Sequence, residues 1–147
     1  MSGDTEIAGA DTLSVGDRVE LIFPARGDLV VLARLVASAI SARAGFDIEE
    51  LEDLRLAVGE LCLLALQGSD DRHGDLRLEF VLTDSALDIS CTLAGAAPHM
   101  GAPNAEAADA DHLSEQILDA LVDEHGREQM DGFVRAWMRK HRRGRSV

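Results

Sequence analysis

Two stretches of alternating residues, joined by a short polar turn, constrain the fold of this chain more than any other feature. Apolar side chains occupy every second position from Leu76 to Leu82 and again from Leu87 to Leu93. A period of two places these side chains on one face of an extended strand. The three residues 83–85, Thr-Asp-Ser, have the length and composition of a hairpin connection. The pattern therefore predicts a β-hairpin.

Two amphipathic helices are predicted before this hairpin. The first runs from Asp28 to Arg43, with Asp28 as its expected N-cap and Gly45 as the residue just past its end. The second begins at Asp47, where Asp47 and Glu50 have the spacing of a capping box. The apolar stripe predicted for the first helix consists of Leu29, Leu32, Ala33, Val36, Ala39 and Ile40.

The rest of the chain completes an α+β pattern. A strand is predicted at 19–23, a long loop at 94–111, a third helix from Leu113 that ends near Gly126, and a final strand at 133–138. The order β-α-α-β-β-α-β predicts a two-layer sandwich with helices on one face of a mixed sheet. We expect a flexible leader at 1–17, one domain at 18–140 and a basic tail at 141–147.

The charge distribution favours a protein partner over nucleic acid. The first 134 residues carry 27 acidic and 8 basic side chains, a net charge of −19, whereas the last 13 carry +6. An acidic body repels phosphates and attracts a basic protein. The basic tail is expected to be solvated, with contact to nucleic acid as the alternative.

Sequence features also indicate a cytoplasmic protein without a metal site. No stretch reaches the roughly 18 to 20 apolar residues that span a membrane, and the acidic N-terminus does not resemble a signal peptide. The histidines are scattered, so no metal-ligand spacing occurs. Cys62 and Cys91 are expected to be buried free thiols.

Several passages resemble a known family. The most specific one reads Asp-Leu-Arg-Leu-Ala-Val-Gly-Glu at 53–60, and the others lie at 21–25, 32–34, 120–124 and 133–140. They are similar to the anti-sigma factor and serine kinase branch of the GHKL ATPase superfamily, regulators of stress and sporulation sigma factors. The resemblance implies the histidine-kinase-like ATPase fold for residues 18–140. It also implies a homodimer.

The positions that would bind nucleotide depart from the family pattern. Glu60 matches the family's general base, but Leu64 stands where the family has an asparagine that holds Mg²⁺ and phosphate. Leu93 replaces the aspartate that would bind adenine, and Gly95 matches only the first of two expected glycines. The glycine-rich phosphate turn falls on 112–114, His-Leu-Ser, which has no glycine. Glu60 is then better explained as an exposed or capping carboxylate, and Gly95 is equally well explained as a loop residue.

These departures predict an anti-sigma factor of the degenerate sigma-F type. It would sequester a sigma factor until an anti-anti-sigma factor competes, with no cofactor and no contact with nucleic acid or membrane. The alternative is an ATP-dependent serine kinase that phosphorylates an anti-anti-sigma factor, with ATP and Mg²⁺ held by other residues. A third hypothesis is a scaffold or adaptor protein that kept the fold but no longer binds a sigma factor. The expected partner-facing positions, which otherwise form a plain solvated helix face, are Asp28, Arg34, Ser38 and Arg43.

Overall fold

The structure is a computed structural model, and it describes residues 12–67, 74–94, 105–130 and 132–143. Within these ranges the chain forms five strands and three α-helices, preceded at the first helix by a 3-10 turn, Gly27–Leu29. In chain order the elements are β1 (Arg18–Pro24), α1 (Val30–Arg43), α2 (Ile48–Gln67), β2 (Asp75–Leu82), β3 (Ala86–Ala94), α3 (Ala105–Leu121), β4 (Glu124–Met130) and β5 (Phe133–His141).

The architecture is α+β, as predicted, with a helical layer on one face of a five-stranded sheet. The predicted hairpin is confirmed, because β2 and β3 pair antiparallel from Leu76 opposite Leu93 to Leu82 opposite Leu87. Their alternating apolar side chains are buried under the helices. Helix α2 is the centre of the helical layer, since it packs against α1, α3, β3 and β5.

The sheet is antiparallel in every described pairing, so the prediction of a mixed sheet was wrong. The strand order is β1-β2-β3-β5-β4. A strand-helix-strand connection between β3 and the last strand would have made that pair parallel. Strand β4 reverses the chain first, so β5 returns antiparallel to β3. The third helix accordingly ends at Leu121 and not near Gly126, which lies within β4.

The helix boundaries agree with the local signals at two of three places. Asp47 and Glu50 form the predicted capping box, with each side chain accepting from the other's backbone N–H at 3.0 and 2.8 Å. Gly45 follows α1 with a φ of +84°, as expected for the residue past a helix end. Asp28 is not the N-cap. It accepts hydrogen bonds from Arg26, and Leu29 occupies the cap position.

The segments outside the predicted domain are held by hydrogen bonds where the structure describes them. Leu13 N–H donates to the Arg43 carbonyl at 3.0 Å, and Gly16 N–H donates to Leu82. Arg142 donates to the carbonyls of Ala44 and Asp84 at 3.1 and 2.6 Å. Residues 12–17 and 142–143 thus contact the folded body.

Parts of three predicted segments lie outside the described residues. These are residues 144–147 of the basic tail, 1–11 of the leader and 95–104 of the loop predicted at 94–111. Residues 68–73, between α2 and β2, also lie outside the described ranges. The remainder of that last predicted loop, 105–111, is helical and belongs to α3. No helix in the described ranges is long and apolar enough to cross a membrane.

Candidate functional site

Glu60 lies on the side of α2 that faces α3, and its carboxylate is already engaged. The buried Ser114 hydroxyl on α3 donates to Glu60 Oε2 at 2.9 Å. The two residues are 54 positions apart in the sequence, and only the packing of α3 on α2 brings them together. A carboxylate used as a general base must reach the proton that it abstracts. Here the Glu60 carboxylate is hydrogen-bonded to a buried neighbour within the protein.

Leu64 lies one helical turn after Glu60 and is inside the core. It is only 1% exposed, and Leu61 on the same helix and Leu93 on β3 are fully buried with it in the same apolar cluster. A hard cation such as Mg²⁺ requires oxygen ligands, which leucine does not offer. Two of the positions expected to hold the metal and the adenine are therefore apolar and closed to water.

The segment expected to carry the phosphate-binding turn is continuous helix. Residues 112–114 lie in the middle of α3, where Ser114 points inward and Leu113 is exposed. Backbone N–H groups inside a helix donate to the carbonyl four residues earlier, so they are not free to bind phosphate. Gly95, the remaining match to the nucleotide pattern, lies outside the described residues.

The described residues contain no group of three or more side chains suited to holding a metal ion. Cys62 and Cys91 are free and buried, as predicted. A hydrogen bond with Cys62, together with burial, raises the pKa of the Cys91 thiol well above its ordinary value. A thiol held protonated is a poor nucleophile, and both cysteines are buried members of the hydrophobic core.

The four predicted partner-facing residues lie on or beside α1, and most are engaged locally. Asp28 pairs with Arg26, the Ser38 hydroxyl donates to the Arg34 carbonyl at 3.0 Å, and Arg43 donates to the carbonyl of Ala39 at 3.2 Å. Of the four, Ser38 is half-buried and the others are exposed. They do not converge on one point, so they are not a preformed cluster.

The α1 face also presents apolar side chains that the sequence analysis missed. Val31 is 50% exposed, Leu32 39% and Leu35 62%. The buried side of α1 is instead formed by Val30, Ala33, Ala37, Ile40 and Ser41. The predicted apolar stripe was therefore wrong: it was displaced around the helix axis, and it placed Leu32 on the buried side of α1, whereas Leu32 is exposed. The spacing of Val31 and Leu35, four residues apart, was a signal of a second apolar stripe.

Arg34 has a distinctive position on this face. Its guanidinium lies over Gly59 of α2, so that a Cβ built on Gly59 would be 2.6 Å from Arg34 Nε. Among the described residues Arg34 has no hydrogen-bond acceptor or ion-pair partner, whereas every other described arginine contacts a carboxylate or a carbonyl. Leu56, one turn before Gly59, is exposed beside it on α2.

Comparison with known proteins shows relatives among serine-protein kinases named RsbW. The chain is 35% identical to the Bacillus pumilus protein over 77 residues, which cover 50% of this chain and 48% of that protein. The chain is 36% identical to a Listeria monocytogenes protein over 77 residues, which again cover 50% of this chain and 48% of that protein. It is 28% identical to the Bacillus licheniformis protein over 137 residues, 84% of this chain and 85% of that one. The aligned part spans about half the length of the first two relatives.

The fold is similar to that in a solved structure of the RsbU and RsbW domains of Rv1364c from Mycobacterium tuberculosis. The TM-score is 0.65 at 18% identity, and the match covers 89% of this chain and 34% of that chain. The family model described as the histidine kinase-like ATPase domain matches residues 23–132, well over half of the sequence. By its sequence, and with a fold in agreement, the chain belongs to the histidine kinase-like ATPase domain family.

Proposed function

We propose that this chain is an anti-sigma factor that sequesters a sigma factor, and that its nucleotide site is degenerate. The observation that carries the proposal is the burial of Leu64 at the point on α2 where the sequence comparison expected a metal-holding amide. A buried leucine supplies no metal ligand at this position, and we therefore propose that the protein acts by binding a partner.

Three features of the site support the absence of phosphoryl transfer. Transfer of a phosphoryl group depends on metal ions and donors that position and neutralise the phosphates. Leu64 and Leu93 offer neither, and α3 is helical where a glycine-rich turn would be needed. The Ser114 hydroxyl also donates a hydrogen bond to one oxygen of the Glu60 carboxylate. We therefore propose that the protein works without ATP or Mg²⁺.

The exposed face of the helical layer supports a protein-binding role. Val31 and Leu35 on α1 and Leu56 on α2 are each half or more exposed, and Arg34, next to Leu35 in the sequence, has no hydrogen-bond acceptor or ion-pair partner among the described residues. The buried centre of a protein interface is more apolar than the rest of the surface, and arginine is enriched in interfaces. Isolated exposed leucines are ordinary, but exposed apolar side chains on two adjacent helices, together with an arginine that has no acceptor among the described residues, fit a contact surface.

The net charge supports a basic partner. The chain carries −13 at neutral pH, and an acidic protein attracts a basic one over long range. Sigma factors carry basic regions that face DNA. We propose that an anti-anti-sigma factor competes for the same helix face, and that the protein acts as a homodimer.

A kinase is the second candidate, because the relatives are named serine-protein kinases and Glu60 is retained. Calorimetric titration with ATP–Mg²⁺ separates the two. The degenerate site predicts no saturable heat, whereas a dissociation constant near 1 μM, about 8 kcal/mol of binding free energy, would establish a working site.

Capture of partners by the immobilised full-length chain tests the main proposal. We expect a sigma factor to be recovered equally well with and without ATP–Mg²⁺, and identified by mass spectrometry. Surface-plasmon kinetics with that purified sigma factor should show an association rate that falls with salt, because screening shortens the Debye length from about 10 Å at 0.1 M to about 3 Å at 1 M.

The Arg34→Glu variant should mainly accelerate dissociation. Arg77→Glu, on the open face of the sheet, is the control and should leave the dissociation rate unchanged. Recovery of no sigma factor, or equal dissociation rates for both variants and the parent chain, would contradict the proposal.

A further inference from the structure

We propose that Gly59 is a positioning residue. Because it has no side chain, the Arg34 guanidinium can lie against α2, where it binds a carboxylate of the captured sigma factor. We call this space over Gly59 the seat of Arg34. The inference rests on the proposed function for the identity of the partner. The seat itself is a property of this chain alone and is tested separately.

The backbone does not require glycine at position 59. Gly59 lies inside α2, and it is not among the described glycines with a positive φ, which are Gly16, Gly45, Gly74 and Gly132. Glycine within a helix is less stable than alanine by about 0.5–1 kcal/mol. Glycine therefore destabilises α2 at position 59, and the backbone conformation of the helix gives no reason for a glycine there.

The neighbouring arginine explains the glycine. A Cβ on Gly59 would lie 2.6 Å from Arg34 Nε, 2.7 Å from one terminal nitrogen and 3.1 Å from Cζ. Apart from the adjacent residues and backbone of α2 itself, these are the closest atoms to that position, and all three belong to the guanidinium. A methyl group there would displace the end of a flexible side chain, so Gly59→Ala should move the guanidinium and leave the fold intact.

The seated guanidinium is set up for an external acceptor. Arg34 is exposed and has no acceptor among the residues that the structure describes, in a chain with nearly twice as many acidic as basic side chains. A guanidinium offers a planar fork of N–H donors that binds a carboxylate through two parallel hydrogen bonds. The exposed Leu35 and Leu56 flank the seat in sequence on the two helices. Contact of a partner with these leucines would exclude water and strengthen the pair.

The first test needs no partner. The Nε–Hε signal of Arg34 in ¹⁵N NMR spectra of the full-length chain should shift in Gly59→Ala. The control is Gly27→Ala, since a Cβ on Gly27 has no atom within 4 Å. It should leave the Arg34 signal in place. Thermal unfolding should show that Gly59→Ala is at least as stable as the parent. An unmoved Arg34 signal in Gly59→Ala would overturn the seat.

The second test is a double-mutant cycle with the sigma factor recovered by capture. Gly59→Ala should weaken binding by about tenfold, the lower end of what a hydrogen bond to a charged group contributes. In the Arg34→Ala background the same change should have no effect on affinity, because the residue acts through the arginine. The proposed contact between Arg34 and a carboxylate would be refuted in two cases. In the first, Gly59→Ala weakens binding in the Arg34→Ala background as well. In the second, Gly59→Ala changes the affinity in neither background.

The two tests fail independently. If the chain captures no sigma factor, the proposed function and the carboxylate role fall together, while the NMR result still decides whether Gly59 seats Arg34. If a sigma factor binds but the cycle shows no coupling, the proposed function stands and this inference is wrong.

Discussion

Restoring the expected amide at position 64 is the most direct test of our proposal that the nucleotide site is closed. Leu64 is fully buried among Leu61, Leu93 and their neighbours, so Leu64→Asn removes an apolar side chain from the core and inserts a polar one. We expect the variant to be clearly destabilised and still unable to bind ATP, because Leu93 and the helical segment at 112–114 are unchanged.

The expected magnitude follows from two contributions. Removal of a fully buried leucine side chain costs about 1.5–3 kcal/mol of transfer free energy. A buried amide without hydrogen-bond partners costs about 1–3 kcal/mol more. The sum of roughly 4 kcal/mol is a large share of the about 5–15 kcal/mol that stabilises a typical domain. For a chain of this size, about 2–4 °C of Tm per kcal/mol gives a decrease of about 8–16 °C.

The same substitution on the exposed side of α2 provides the matched control. Leu56 is 55% exposed on the same helix, so Leu56→Asn should lower the unfolding free energy by less than about 1 kcal/mol, mainly through helix propensity. Urea unfolding monitored by circular dichroism measures both variants, and each is repeated with ATP–Mg²⁺. If Leu64→Asn and Leu56→Asn lowered the unfolding free energy equally, the argument that Leu64 fills a closed apolar core would be refuted. Stabilisation of Leu64→Asn by ATP–Mg²⁺ would also refute it, since only a ligand that binds the folded state stabilises it.

Three further predictions concern stability. Asp47→Ala should lower the unfolding free energy by about 1 kcal/mol in urea titrations, because it removes one half of the capping box; no change would contradict the helix start. Lys140→Met should cost about 2 kcal/mol, because Lys140 donates to Asp53 at 3.4 Å and to the Leu121 carbonyl at 2.6 Å. Full stability of Lys140→Met would show that these contacts contribute nothing. The pKa of the Cys91 thiol is raised in the folded state, so the unfolding free energy should fall as pH rises above about 8.5, the ordinary thiol value. Cys91→Ala should make this fall with pH less steep. A pH dependence that is unchanged in Cys91→Ala would contradict the raised pKa.

Several features were predictable because neighbouring residues encode them. The β2–β3 hairpin follows from alternation of apolar residues on both sides of a short turn. The start of α2 follows from Asp47 and Glu50, which satisfy each other's backbone N–H groups within one turn. The apolar character of positions 64 and 93 was also visible in the sequence, and from it the closed site was inferred.

Strand β4 was not predictable, because its sequence has no strand pattern. Its residues, Glu-His-Gly-Arg-Glu-Gln-Met, are polar apart from Gly126 and Met130. The strand forms because β5 offers a free edge, and Gly126 leaves room for the ring of Trp137 opposite it. Pairing with a neighbour supplies the hydrogen bonds that local propensity does not, and this pairing also made the sheet antiparallel.

By itself, the sequence determined the types and most boundaries of the elements other than β4, the family resemblance and the absence of polar side chains at positions 64 and 93. Only the tertiary structure decided which side of α1 is buried, that Ser114 binds Glu60, and that Arg34 lies over Gly59. Those contacts join residues far apart in the chain, and several side chains of α1 are apolar enough to face either way. Their positions are set by the packing of the helices on one another and not by local periodicity.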